Sequence, residues 1–270
     1  MTKKIDNRYT VYKHGELPII LSAPHGGDEK PYTISNRKNG VFEKDDFTLE
    51  LALDIEEEFY KQVGLMPYSV IATISREKID LNRERKKAFK DYTAQEEYDY
   101  YHKQIQIARE YIDKKFGKGL FIDIHGQSHP DGFIEFGYLL DNDILKLEDK
   151  RLEEYQKKSS IKTLSNFSSK DFAGQIRGEN SLGSLMTQEG FKSIPSKKYP
   201  YAKDGNYYEG AFNTLKYGSL DNGSINGIQV EFPYKGCRDT DENRKKTAKA
   251  FVNSLLKFLE VHLGLELKKD

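Results

Sequence analysis

Three residues whose side chains can bind a metal or move a proton stand at the ends of apolar stretches. His25 follows the aliphatic residues of "IILSAPHGG", His125 ends "FIDIHG", and Glu231 lies in "GIQVEFP". Two histidines and a carboxylate are the ligand set of many catalytic zinc sites, which keep one coordination position open. Zinc lowers the pKa of water toward about 7 and polarises a carbonyl oxygen, while a carboxylate that is not a ligand accepts the proton. Our hypothesis gives that last role to Glu231.

Each of these residues also has a simpler interpretation. A histidine at the end of a strand is more often a structural group held by hydrogen bonds. Glu231 alternates with Gln229, so an exposed position on an edge strand also fits it. Two other chemistries are not indicated. The glycines after His25 lack the Gly-Lys-Ser/Thr of a phosphate-binding loop, and the chain has no G-x-S-x-G motif.

The elements that must position these residues are strands and helices in alternation. Apolar runs of strand length are predicted at residues 17–23, 69–75, 120–125, 133–139 and 228–232. Helical patterns are predicted at 45–63, 93–116 and 239–263, with weaker signals at 145–157 and 179–189. This alternation predicts one α/β domain over residues 1–270, with a mixed, mostly parallel central sheet flanked by helices. Polar residues at the C-terminal ends of its strands are expected to meet.

Two segments, at about residues 26–44 and 158–227, are predicted to be long loops. The second is rich in Ser, Asn, Gly and Tyr. Loops of this length in a compact domain are usually binding surfaces or disordered segments. The aromatic residues of the second segment favour binding, because a disordered linker would lack them. We therefore expect both loops to lie over the active site.

Composition restricts the partners and the setting of the protein. The 43 basic and 43 acidic residues balance, which argues against nucleic acid as a partner and favours a small molecule, although local charged patches remain compatible. Cys237 is the only cysteine, so no disulfide framework or thiolate zinc site is expected. No apolar run has membrane-spanning length, and the first 20 residues lack the apolar core of an export signal. We expect a cytoplasmic protein that does not bind membranes; the sequence does not indicate its oligomeric state.

In chain order, six stretches resemble the N-formylglutamate amidohydrolase family: "SAPHGG", "DDFTLELA", "DLNR", "FIDIHG", "YYEGAFNTLKYG" and "IQVEF". The resemblance extends from about residue 17 to the last predicted helix. It implies a phosphorylase/hydrolase-like fold related to that of the zinc carboxypeptidases. It also implies a zinc-dependent amidohydrolase that cleaves the amide bond of a small, carboxylate-bearing N-acyl amino acid. One zinc ion is the implied cofactor, although histidine and carboxylate ligands also suit iron, manganese or cobalt.

The resemblance places the metal on His25, His125 and one acid. The family pattern puts the acid at the start of the next helix, which selects Asp45, whereas the carboxypeptidase spacing selects Asp28. A carboxylate at a helix N-terminus is kept ionised by free backbone N–H groups, which suits a ligand but also describes an ordinary N-cap. Asp45 is the preferred ligand and Asp28 the alternative. Asp123, two residues before His125, is implied to orient that imidazole.

The same resemblance implies the residues that hold the substrate. Arg83 of "DLNR" would grip the substrate's carboxylate with its planar guanidinium, assisted by Asn82. Arg177 and Tyr208 fall in two stretches that resemble family loops over the substrate. The match on the last strand makes Glu231 the catalytic glutamate.

The chain departs from the family pattern in two places. It reads "NTLKYG" where the family often carries an arginine, and the loop at 26–44 is rich in lysine. The acidic end of the substrate is therefore expected to be held differently. Two alternatives use the same residues: a carboxypeptidase-like metallopeptidase acting on short or unusual peptides, and a carboxylate-binding protein without activity.

Overall fold

The computed structural model describes residues 8–267, and seven strands within them form one sheet. The strands are β1 Thr10–Lys13, β2 Ile19–Ala23, β3 Tyr68–Ala72, β4 Gly119–Gln127, β5 Ile134–Gly137, β6 Ser193–Ile194 and β7 Ile225–Pro233. Their spatial order is β1-β3-β2-β4-β7-β5-β6. The central strands β3, β2, β4 and β7 are parallel, whereas β1 and β5 run antiparallel to their neighbours β3 and β7. The predicted mixed, mostly parallel sheet is confirmed.

Helices cover both faces of this sheet. They are α1 Thr48–Val63, α2 Arg85–Ala88, α3 Gln95–Phe116, α4 Asn142–Leu145, α5 Asp149–Leu152, α6 Phe172–Arg177, α7 Leu182–Gln188, α8 Phe212–Tyr217 and α9 Asp241–Leu263. The three long helices α1, α3 and α9 end at the predicted residues and begin two or three residues later than predicted. In the part of the chain that the structure describes, no helix is both long and apolar enough to cross a membrane.

The apolar stripes of the long helices explain the two layers of core. On α1, Leu51, Ile55 and Phe59 recur every fourth residue, so they share one helix face, and all three are fully buried. They join α9 in the core on one side of the sheet, while Tyr101 and Ile105 of α3 belong to the core on the other side. Fully burying one such side chain stabilises the fold by about 1.5–3 kcal/mol.

Strands β4 and β7 form the centre of the sheet and carry the site. They pair along all nine residues, and every residue of both strands is buried except the half-buried Gly126. Strands covered on both faces are expected to be apolar throughout. Polar residues nevertheless form a row across three strands, with His125 of β4 opposite Glu231 of β7, and Glu231 opposite Glu135 of β5.

The irregular segments agree with the sequence only in part. The segment 26–44 lacks helices and forms two isolated bridges just beyond the end of β3, from Gly27 to Ser75 and from Glu29 to Ile74. The segment 158–227, predicted as a long loop with a weak helical signal at 179–189, contains α7 at that signal and also holds α6, β6 and α8. Strands β1 and β6, of four and two residues, were not predicted because neither is an apolar run. The expectation of no export signal rests partly on residues 1–7, which lie outside the described residues.

Candidate metal centre and active site

Two histidines and one aspartate meet where two central strands end. His25 follows β2, His125 lies near the end of β4, and Asp45 stands three residues before α1. One ligand atom from each of the three lies within 4.8 Å of the other two, and the imidazole centroids are 4.9 Å apart. Because β2 and β4 are adjacent and parallel, their C-terminal ends bring the two rings to one point.

Asp45, and not Asp28, lies with the histidines. Its Oδ2 is 3.2 Å from Nδ1 of His125 and 3.5 Å from Nδ1 of His25, and it accepts a hydrogen bond from the backbone N–H of Gly126 at 3.2 Å. Asp28 instead has a side chain that is 79% exposed and pairs with Lys44 at 2.6 Å. The carboxylate of Asp45 is also not the N-cap of α1, because Phe47 occupies that position.

Two further carboxylates hold the imidazole rings through their Nε2 atoms, on the side of each ring away from Asp45. Nε2 of His25 is 2.8 Å from Asp80 Oδ1, and Nε2 of His125 is 2.9 Å from Asp123 Oδ2. Both aspartates are fully buried. A carboxylate that accepts the Nε2 hydrogen leaves the lone pair on Nδ1, and this arrangement orients histidine ligands in metal sites. Both Nδ1 atoms therefore point toward Asp45 as acceptors.

The residues present fit a divalent cation. Nδ1 of His25 is buried and has no hydrogen-bond partner among the described residues. An unpaired buried polar atom is costly, and a cation between the two imidazoles and Asp45 would satisfy it. Two imidazole nitrogens and one carboxylate oxygen match the donor set of catalytic zinc, and they leave room for another ligand.

The electrostatics of the cluster also favour a positive charge. Burial would raise the pKa of Asp45, but the neighbouring imidazoles of His125 and His25 lower it overall. Burial would lower the pKa of His125, but Asp123 and Asp45 raise it well above its usual value. The imidazole thus binds a proton more firmly than usual because carboxylates surround it. A metal cation would occupy the same negative potential.

Glu231 lies beside this cluster of His25, Asp45 and His125, and all four residues line one cleft. It is 6% exposed and sits on β7, between β4 and β5, so the alternative of an exposed edge position is excluded. Its Oε1 accepts a hydrogen bond from Gln229 Nε2 at 3.0 Å. Burial raises the pKa of Glu231 to about 8, and the nearby carboxylates of Asp45 and Glu135 add to the rise. Such a group can both accept and return a proton near neutral pH.

The cleft has a volume of about 610 Å³ and is lined by the three cluster residues, Glu231 and several predicted substrate-binding residues. The side chain of Arg83 is 43% exposed, and its Nε lies 3.5 Å from Asp80. Tyr208 lines the cleft with 47% exposure. Both residues therefore line the cleft, and their contact with a substrate stays a prediction.

Asn82 and Arg177 are placed differently from expectation. Asn82 lines the cleft, but its side-chain nitrogen lies 3.1 Å from His125 Nε2 and its oxygen accepts the backbone N–H of Asn213. The polar atoms of the Asn82 side chain therefore contact His125 and Asn213 of the protein itself. Arg177 lies over another cavity, where its guanidinium binds the carbonyls of residues 145 and 147 and the carboxylate of Asp149. Arg177 does not line the cleft and these other groups use its donors, so the structure does not bring it to the site.

Sequence reasoning missed three groups that support the site. Asp80 is the first residue of the quoted "DLNR", so its position was visible, but its contact with His25 was not. Arg76 lines the cleft and places a nitrogen 3.6 Å from Asp45. Buried Glu135 accepts the backbone N–H of Tyr208 at 2.8 Å and pairs with His129, whose ring stacks on Tyr208. No local sequence pattern marks these contacts.

The glycines that follow the two histidines are required by close packing. A Cβ at Gly26 would lie 2.5 Å from the backbone nitrogen of Leu49, and a Cβ at Gly126 would lie 2.3 Å from the guanidinium of Arg238. A side chain at either position would force these neighbours apart. The glycine in each His-Gly pair therefore lets α1 and Arg238 close around the cluster.

The fold and the donor set together define an α/β protein in which His25, Asp45 and His125 could hold a metal ion. The structure is similar to that of N-formylglutamate amidohydrolase from Ralstonia eutropha JMP134, with a TM-score of 0.59, 14% identity and coverage of 95% of this chain and 99% of that one. It is also similar to a gene product of Agrobacterium tumefaciens, with a TM-score of 0.56, 14% identity and coverage of 94% and 96%. At this identity the similarity establishes the fold, and it confirms the fold that the resemblance implied. No family model and no curated protein matches the sequence.

Proposed function

We propose that this protein is a zinc-dependent amidohydrolase that cleaves the amide bond of a small N-acyl amino acid bearing a carboxylate. The convergence of His25, Asp45 and His125 within 4.8 Å, beside the buried Glu231, carries the proposal. The shared fold with an N-formylglutamate amidohydrolase supports it.

In this proposal His25, His125 and Asp45 hold the ion. Zinc supplies Lewis acidity, which activates water and polarises an amide carbonyl. The protein's own contribution is to fix the ligands. Asp80 and Asp123 keep the Nε2 hydrogens, so that both Nδ1 lone pairs face one point without rearrangement during the reaction.

Glu231 moves the proton. Its carboxylate accepts a proton from the attacking water as the water oxygen bonds to the carbonyl carbon, and it returns that proton to the amine nitrogen as the C–N bond breaks. The products are a carboxylic acid and an amino acid. The hydrogen bond from Gln229 holds Oε1 of Glu231, and in this proposal Oε2 carries the proton.

Arg83 orients the substrate. It lines the cleft next to the cluster, and a guanidinium binds a planar carboxylate through two parallel hydrogen bonds. Tyr208 lies in the same cleft, on the segment that Glu135 anchors. Holding the carboxylate at Arg83 would place the amide a fixed distance from the metal ligands, which lowers the entropic cost of reaction.

The proposal is tested by metal analysis and a substrate panel. Protein purified without added metal is analysed by mass spectrometry, and hydrolysis is measured for N-formyl and N-acetyl amino acids with free or amidated carboxylates. We expect about one zinc per chain and turnover that requires a free carboxylate. A protein that holds no metal and, after reconstitution with zinc, cleaves none of these amides would overturn the proposal and favour a carboxylate-binding protein.

A further inference from the structure

A second cavity of about 420 Å³ lies next to the cleft and is lined by residues 37–40 and by part of 83–90. Its cationic residues are Arg37, Lys38, Arg83, Lys86, Lys87 and Lys90. Of the described residues that line it, none is acidic. We call it the basic cavity. Because basic and acidic residues are equally numerous in the whole chain, this segregation of charge is local and is not a consequence of composition.

The four lysines of the basic cavity are poorly neutralised, whereas Arg37 and Arg83 both lie within 3.6 Å of the carboxylate of Asp80. In the part of the chain that the structure describes, neither Lys38 nor Lys87 has a carboxylate within ion-pair distance. Lys86 and Lys90 have partners only at 3.8 and 3.9 Å, and all four groups of these two pairs are exposed or partly exposed. Exposed ion pairs of this kind contribute little. The cavity therefore presents a positive potential to solvent.

The basic cavity and the cleft are adjacent parts of one surface. Arg83 lines both of them. The chain segment that lines the basic cavity at residues 37–40 continues directly into Val41 and residues 43–46, which line the cleft. A substrate with one carboxylate at Arg83 can therefore extend from the cleft into the basic cavity.

We infer that the basic cavity binds further carboxylates of an extended substrate, so that the preferred substrates are short acidic N-acyl peptides rather than single N-acyl amino acids. This inference rests on the proposed function and specifies its substrate class. The exposed lysines are spread over the segment 37–40, helix α2 and Lys90 beyond its end. They suit several separate single charges better than one concentrated anion, because each lysine is a hydrated point charge on a flexible chain. Half-buried Phe89 offers an apolar contact to the methylene groups of such a peptide.

The test compares two substrates of equal length, N-formyl-Glu-Glu-Glu and N-formyl-Glu-Gln-Gln, with the wild-type protein and a double variant, Lys38→Gln with Lys87→Gln. Both lysines are exposed, so the variant is expected to fold, and a thermal melt checks this. We expect the wild type to prefer the acidic peptide about tenfold in kcat/KM at low salt. In 0.5 M salt the Debye length is about 4 Å, so the charges are screened and the preference should shrink. The double variant is expected to lose most of this preference. The control variant, Lys245→Gln with Lys257→Gln on α9, removes the same number of charges elsewhere on the surface. It should keep the preference for the acidic peptide.

Two further outcomes separate this inference from the proposed function. Turnover of both peptides with no preference, or with a preference that the double variant keeps, would overturn the inference while the proposed function stands. Calorimetry with the tripeptide Glu-Glu-Glu tests the case in which the proposed function fails and the basic cavity still binds acidic peptides. If no amide is cleaved but the tripeptide binds the wild type and binds the double variant at least fivefold more weakly, the proposed function is wrong and the basic cavity is still an acidic-peptide site.

Discussion

Replacing Asp80 by asparagine is expected to weaken zinc binding about 10- to 100-fold, the usual effect of removing a carboxylate that orients a histidine ligand. The reason is the hydrogen bond of 2.8 Å between Asp80 and Nε2 of His25. An asparagine amide can donate to Nε2 instead of accepting from it. The imidazole would then carry its proton on Nδ1, the atom that faces Asp45, and this atom could no longer bind the ion.

The same substitution should also lower stability, by an amount that depends on the arginines around Asp80. Its Oδ2 lies 3.3 Å from Arg76, 3.5 Å from Arg83 and 3.6 Å from Arg37. Arg37 has the most buried side chain of the three, at 4% exposed, against 12% for Arg76 and 43% for Arg83. Unpairing a buried charge costs about 3–5 kcal/mol. Arg37 also binds three backbone carbonyls, so we expect about 3 kcal/mol, which lowers Tm by about 5 °C for a chain of this size.

Zinc affinity would be measured by competition with a chromophoric chelator, and Tm by circular dichroism of the metal-free protein. Asp28→Asn is the matched control, because it removes an exposed carboxylate from the same part of the chain and should change neither quantity. If Asp80→Asn binds zinc as tightly as the wild type, Asp80 does not orient His25 and the account of the fixed tautomer is incorrect.

Three other changes test separate parts of the site and the fold. Glu231→Gln should lower kcat by about 10²- to 10⁴-fold with zinc content unchanged; substantial residual turnover would exclude Glu231 as the base. Arg83→Lys should raise KM about tenfold for carboxylate substrates with little change in kcat, because lysine cannot form the two-pronged contact; an unchanged KM would place the carboxylate elsewhere. Burial lowers the pKa of His262, which bonds Ser168 and the carbonyl of Asn180. Below about pH 6.5 the unfolded chain therefore binds a proton that the folded protein does not, and the free energy of unfolding falls by up to about 1.4 kcal/mol per pH unit as pH decreases. Urea titrations between pH 5 and 7 should show a shallower fall for His262→Gln, and equal slopes would contradict the assignment.

The sequence predicted those parts of the fold that depend on local pattern. The long apolar stripes of α1, α3 and α9 and the continuous apolar runs of β2, β3, β4 and β7 depend on residue spacing and burial. The existence of these helices and strands could therefore be predicted from the sequence alone. The edge strands β1 and β6 could not, because neither "TVYK" nor "SI" is an apolar run and their pairing depends on a distant neighbour.

The site was predictable to the extent that its residues stand at strand ends. His25, His125 and Glu231 follow or lie within apolar strands, so their convergence followed from the expected sheet. The choice of Asp45 over Asp28 came from a family pattern and not from spacing. Arg177 was misplaced because helix α6 turns its guanidinium toward residues 145–149. Contacts between distant segments, such as that between Asp80 and His25, have no local signature.

The row of His125, Glu231 and Glu135 across three adjacent strands has an evolutionary consequence. Side chains alternate between the two faces of a strand, so a deletion or insertion of one residue within β7 would turn the glutamate to the opposite side of the sheet and away from the imidazole. Length changes in the central strands should therefore be eliminated by selection. The lysine-rich segment at 26–44 has no such constraint along most of its length, so substrate preference can diverge there while the reactive groups keep their places.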